Sequence, residues 1–340
     1  MRSFSSCAIV LALTQSLLAG EPKASAPDIR ETIQRSIGFL EKDSLAWKEE
    51  RRCASCHHLP MTLWSLNEAK KQGYAVNDKT LTDLTAWTIA KDDPAKVFPK
   101  RPPTPEKLVN QSPLLLALGI EAGDPSDLAV RKGLKKLLTT VLVDQGDDGS
   151  WKLGAGRLPM VASKEIMTTL TLLALSSPAA AQVNEAKPAQ EKALKWLSLA
   201  PPEDDLQAIA LRIILRQRLG MPRGEWEPMA KKILRRQNAD GGWCQTKEMA
   251  SDAFATGQAL YALSVTRLSD DPAVKKAQAF LAETQRPDGS WPMTSRSMKP
   301  GEKGAKDLGP ITHAGTAWGT LGLVRSAPIH TKVAPSTTKK

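Results

Sequence analysis

The sequence predicts an all-α protein built as an array of about six helical hairpins. Two observations carry that reading. The first is a repeated segment: Gln145-Gly-Asp-Asp-Gly-Ser-Trp151, Gln237-Asn-Ala-Asp-Gly-Gly-Trp243 and Gln285-Arg-Pro-Asp-Gly-Ser-Trp291 each place Gln six residues before Trp, with Asp-Gly between them. The second and third Gln lie 48 residues apart and the first and second 92, about twice that period, so one copy has degenerated. Such a period in a helical chain marks stacked hairpins. The second observation is the flanks. An amphipathic stretch precedes each Gln, with Val141, Ile233 and Leu281 four residues upstream, and a polar loop and an Ala/Leu/Thr-rich stretch follow each Trp (Glu165–Ser176, Ser251–Thr266, Thr312–Arg325).

Applied along the chain, this template gives six hairpins. They pair Asp28–Leu40 with Leu59–Lys71, Thr80–Lys91 with Glu106–Glu121, and Pro125–Val143 with Pro159–Ser176. Next come Lys187–Leu199 with Glu203–Leu219, Gly224–Gln237 with Met249–Thr266, and Asp271–Gln285 with Ile311–Arg325. Prolines and glycines punctuate the joints: Pro94, Pro99, Pro102, Pro103, Pro201, Pro202, Gly220 and Pro222. Asp-Gly supplies the turn. The Trp ring is expected to pack on the neighbouring repeat while the Gln amide pairs with backbone ends. Residues 326–340 carry no apolar pattern and read as a disordered tail.

The N-terminus reads as a secretory signal. Arg2 precedes an apolar run from Cys7 to Ala19, too short to span a bilayer as a helix. Cleavage is expected after Gly20, or after Ala26, which places the mature chain in the periplasm or outside the cell. No later stretch approaches the ~20 apolar residues of a membrane span. The net charge is +11, and removing residues 1–20 leaves +10. The charges are scattered, and no nucleic-acid motif accompanies them, so they read as a solvated basic surface. Ser-His-Asp machinery, a phosphate loop and H-E-x-x-H are all missing from the sequence.

Four cysteines are present, of which Cys53, Cys56 and Cys244 survive cleavage. An odd count argues against a disulfide framework. Cys53-Ala-Ser-Cys56-His57 reads C-x-x-C-H, the spacing that attaches a c-type haem: two thioethers to the porphyrin and His57 as the proximal iron ligand. Export favours this chemistry. A structural metal, and a disulfide or free thiols, are the alternatives; Cys244 is left as a buried free thiol. The motif lies in the loop of the first hairpin, where later repeats carry Asp-Gly-Ser-Trp. His58 cannot reach the opposite face of the same iron.

The Gln…Asp-Gly-(Ser/Gly)-Trp repeats resemble the QW motifs of squalene–hopene cyclases and related terpenoid cyclases; protein prenyltransferase β-subunits share the scaffold. The resemblance spans roughly residues 28–325 and implies an α/α toroid, its outer and inner helices alternating around a central cavity. Of the cyclase acid motif Asp-x-Asp-Asp-Thr-Ala, the stretch Asp252-Ala-Phe254-Ala255-Thr256-Gly257 keeps only the first Asp. A neutral alkene is a poor base, so a lone carboxyl is a weak acid catalyst for it. Asp252 is thus a candidate catalytic residue and also a candidate helix cap. The prenyltransferase zinc set matches at Asp252 and near His313, but Phe254 stands in place of its Cys.

A closed ring makes the sixth hairpin a neighbour of the first and brings His313 beside the Cys53–His58 loop. His313 is then a candidate distal haem ligand, with Met61 and Met160 behind it. The same adjacency permits zinc on Cys53, Cys56, His58 (or His57) and His313. The expected function is a haem c toroid that handles electrons with a redox partner or senses a small ligand. The alternatives are a cyclase-like enzyme or binder of apolar molecules, and a zinc-stapled scaffold.

Overall fold

The computed structural model describes residues 28–51, 58–90, 112–123, 126–153, 158–269, 271–293, 296 and 308–327. The candidate signal segment, Cys53, Cys56, His57 and the tail beyond residue 327 lie outside them. Among the described residues there are twelve α-helices and no β-strand: α1 (Ile29–Arg51), α2 (Leu59–Lys71), α3 (Asp78–Ala90), α4 (Ser112–Glu121), α5 (Leu128–Leu142), α6 (Lys164–Leu175), α7 (Ala186–Leu199), α8 (Leu206–Arg218), α9 (Glu227–Leu234), α10 (Ala253–Val265), α11 (Pro272–Thr284) and α12 (Gly309–Ser326). They are the six hairpins, with shifted ends. α1 runs eleven residues beyond the expected Leu40, and α12 takes in Ser326, the first residue assigned to the tail. α6, α8 and α10 start late because Ser163, Asp205 and Asp252 cap them, each side chain accepting from a first-turn backbone N–H.

Odd-numbered helices form an outer layer and even-numbered ones an inner layer, a division written in their patterning. Outer α5 buries only Leu134, Leu138 and Val141, one stripe of an amphipathic helix. Inner α2 and α10 bury every residue of Leu59–Ala69 and of Ala253–Leu263. An enclosed helix keeps polar groups only where they find partners, as Thr62, Ser65, Asn67 and Glu68 of α2 do. Trp64, Tyr261, Phe254 and Trp318 meet between the inner helices edge to face, with the Trp64 and Trp318 rings 5.3 Å apart. The inner helices touch in the order α2, α4, α6, α8, α10, α12 and back to α2, so the ring closes.

The three repeats hold the hairpins in identical ways. Each Trp indole donates to a carbonyl ten residues back on its own outer helix: Trp151 to Val141, Trp243 to Ile233, Trp291 to Leu281, at 2.7–2.8 Å. This bond ties each Trp to the outer helix of its own hairpin. The Gln does the stapling. Gln145 Nε2 donates to Ala189 O at 2.8 Å, Gln237 to Ala273 O at 2.7 Å and Gln285 to Thr32 O at 2.9 Å, each on the next outer helix. The third bond joins the sixth hairpin to the first. Gly289 explains the glycine in the motif: its φ is +88°, and a Cβ there would meet Arg35 O of α1 at 2.3 Å.

Gln285→Ala removes the bonds to Thr32 O, Gly289 O and Arg35 Nε. It should destabilise the ring by about 2 kcal/mol, as part-buried groups lose their partners. Urea unfolding with parallel Gln145→Ala measures this, and the closing joint should be no less sensitive than the internal one.

Candidate functional site at the ring seam

The seam between the last and first hairpins collects three potential ligands. Asp43 stands on α1, His58 occupies the N-cap of α2, and His313 lies near the start of α12. His313 Nδ1 is 2.6 Å and His58 Nε2 3.3 Å from the same oxygen, Asp43 Oδ2. All three ligand atoms fall within 4.8 Å of one another. His58 is at a capping position but caps nothing; its ring is stacked between Trp47 at 3.7 Å and His313 at 4.2 Å. Arg51 lies 5.3 Å over the Trp47 ring, in the range of a cation–π contact.

His313 is fully buried and engaged at both nitrogens. Its Nε2 lies 3.0 Å from Thr62 Oγ1 and 3.2 Å from the His58 carbonyl, and Thr62 lies 2.5 Å from Ser44 Oγ. Burial acts to raise the Asp43 carboxyl, but hydrogen bonds and charge from His313 and His58 outweigh it and hold the group below its usual range. The order Thr62–His313–Asp43 has the form of a hydrolase triad. Thr62 and Ser44 are 0% exposed, however, so no acyl group reaches the hydroxyl. Asp43 is the member that meets solvent, its side chain 36% exposed.

A second polar cluster lines the rim where the inner helices α6, α8 and α10 begin. Asp252 caps α10 by accepting from Ala255 N at 2.8 Å and also accepts from Gln245 Nε2 at 2.7 Å. Burial pushes its carboxyl up to about 6, against these hydrogen bonds and the nearby charge of Arg296. Arg296 pairs with Asp205 at 2.6 Å and contacts Gln207 at 3.2 Å. Glu165 pairs with Arg212 and accepts from Glu203 N at 2.8 Å. Burial, with the charges of Glu165 and Asp205, raises the Glu203 carboxyl. Gln258 Nε2 is buried without a hydrogen-bond partner among the described residues.

Of the residues singled out in the sequence, His58 and His313 come together and Asp252 lies at the rim, on a different inner-helix start. Met61 and Met160 are buried. Cys244 is half-buried, less enclosed than expected, and free. Asp43 was missed. Its signal was weak: one acid midway along α1, beyond the expected helix end at Leu40. A surface cavity of about 330 Å³ on outer helix α9, lined by Gly224, Glu227, Pro228, Lys231 and Arg235, contains none of these residues. Among the described residues no helix is long and apolar enough to cross a membrane.

The closed double ring of alternating helices defines an α/α toroid. Residues 199–337 match the family model of the squalene-hopene cyclase C-terminal domain. None of the curated proteins matches the chain. Among solved structures, the chain is similar to a possible member of the GH105 family from Salmonella enterica serovar Paratyphi A, with TM-score 0.57, 14% identity, and 93% of this chain and 98% of that chain covered. It is also similar to the type II terpene cyclase MstE from Scytonema in complex with its substrate geranylgeranyl dihydroxybenzoate, with TM-score 0.56, 17% identity, and 89% and 99% covered. At these identities the likeness is one of fold.

Proposed function

We propose that this chain is an exported, squalene-cyclase-like toroid that carries a covalent c-type haem on Cys53 and Cys56, with His57 as the proximal ligand, and works in electron transfer or small-ligand sensing. The observation that supports it is the anchoring of His58. The residue directly after the motif is buried, stacked on Trp47 and His313, and bonded to Asp43. A cofactor loop needs such a fixed end, because ligand orientation depends on the surrounding shell. The donor chemistry fits the group: two thiols for thioethers and an imidazole for iron. When bound, the haem supplies an iron that exchanges one electron or takes a small ligand. The chain's own residues anchor the loop: His313 and Asp43 hold His58, and Thr62 and Ser44 hold His313. In this reading His313 is a positioning residue for His58, against which it stacks at 4.2 Å.

Protein exported alongside haem-maturation machinery should show a Soret band that stays with the polypeptide after denaturation and vanishes in Cys53→Ser/Cys56→Ser. A colourless wild-type protein from the same cells rejects the reading.

A second reading is favoured by Asp252, whose buried carboxyl is lifted to about 6, so that it keeps its proton to a higher pH than an exposed carboxyl does. In that reading the chain protonates an apolar polyene or a related apolar ligand, and Asp252→Asn abolishes turnover. Absence of product from a panel of polyenes argues against it.

A further inference from the structure

We infer that Asp43, His58 and His313 form a binding site for one divalent transition-metal ion, of the zinc or ferrous type, that pins the closing seam of the ring. The site differs from a Cys₂His₂ arrangement: its donors are one carboxylate oxygen and two imidazole nitrogens, and it needs neither cysteine.

Four features carry the inference. First, Asp43 Oδ2 has an imidazole nitrogen on each of two sides, at 2.6 and 3.3 Å. An ion about 2.0–2.1 Å from each donor holds them roughly 3.3 Å apart, so the His58–Asp43 spacing already suits it and the His313–Asp43 pair opens on binding. Second, one carboxylate and two imidazoles from three separate segments bring their ligand atoms within 4.8 Å of one another, a donor set that zinc and ferrous iron take.

Third, the outer shell is already built. A metal-bound histidine characteristically donates its remaining N–H to a carbonyl, carboxylate or water, which fixes tautomer and orientation. With Nδ1 directed at Asp43, His313 presents Nε2 to the His58 carbonyl at 3.2 Å and to Thr62 Oγ1 at 3.0 Å, and Ser44 bonds Thr62 in turn. Fourth, Asp43 is partly exposed while both histidines are buried, which gives the ion an entry path and a solvent-facing position. The three ligands come from α1, the start of α2, and α12, so the ion would tie the first hairpin to the last.

The test uses full-length wild-type protein and Cys53→Ser/Cys56→Ser, both stripped with chelator and titrated with Co²⁺ and with Zn²⁺. One equivalent should bind to each. The Co²⁺ spectrum should show ligand-field bands without thiolate charge transfer, and Zn²⁺ should raise the thermal midpoint. Asp43→Asn and His313→Gln should each weaken binding at least tenfold, and Thr62→Val should weaken it less. Asp43→Asn is nearly isosteric and part-exposed, and the wild-type titration decides the matter even if a variant misfolds. The inference is overturned if wild-type protein binds neither ion stoichiometrically. It is also overturned if binding survives Asp43→Asn undiminished, or is lost in the cysteine variant together with a thiolate band. The absorption test for haem has a different readout, so either idea can fail alone.

Discussion

Gly257→Ala should destabilise the protein by about 3 kcal/mol or more, in the upper range for overpacking. A Cβ at Gly257 would sit 2.1 Å from Trp318 O, 2.3 Å from its carbonyl carbon and 2.6 Å from Gly319 N. These are backbone atoms of α12, which no side-chain rotation can move aside. The contact is reciprocal, since a Cβ on Gly322 would meet Gly257 O at 2.6 Å. Alanine at 257 therefore has to push α10 from α12 along their whole crossing. That shift reaches both candidate sites, because Asp252 caps α10 and His313 lies near the start of α12. Urea unfolding gives the magnitude. Gly38→Ala is the matched control: it lies in α1 with nothing within 4 Å of its added methyl. That variant should be neutral or gain about 0.5–1 kcal/mol from helix propensity. Equal effects at the two positions contradict the close-packed crossing.

Asp252→Asn should raise stability at pH 7 by about 2 kcal/mol while changing it little at pH 4. The folded-state carboxyl is lifted from 3.8 to about 6, worth about 3 kcal/mol at 1.4 kcal/mol per unit. The sign follows from linkage. A group that holds its proton more tightly when folded contributes stability that is fully present below its unfolded value and lost as pH rises through its folded value. Asp252 therefore weakens the fold between about pH 4 and pH 6, and above that the burial of its charge is a standing cost. Asparagine keeps an oxygen for the Ala255 N–H and carries no charge, so the variant lacks this fall. Asp43, whose carboxyl is held low, acts in the opposite sense and is common to both proteins. Urea midpoints from pH 4 to 8 separate the curves; parallel curves contradict the buried, raised carboxyl.

The repeat and its Gln, Gly and Trp were legible because each has a local physical role: an indole bond ten residues back, a left-handed turn, an amide that reaches the next helix. The order of the hairpins was legible for the same reason, and with it the meeting of His58 and His313, since a closed ring leaves their loops no other neighbours. Helix ends were read less well. Ser163, Asp205 and Asp252 moved three starts downstream, because capping depends on which backbone N–H groups a side chain reaches. Asp43 and the Thr62–Ser44 bond were illegible. Nothing in the spacing of residues 43, 58, 62 and 313 marks them as partners.

By itself, then, the sequence determined the helical hairpins, their order and the chemistry on offer at Cys53–His58, all of which rest on interactions within about one repeat. Only the tertiary structure decided that the ring closes, that α10 and α12 touch backbone to backbone, and that one carboxylate is shared by two stacked histidines. Those contacts join residues up to 270 positions apart, and they exist only once the first and last hairpins are held side by side.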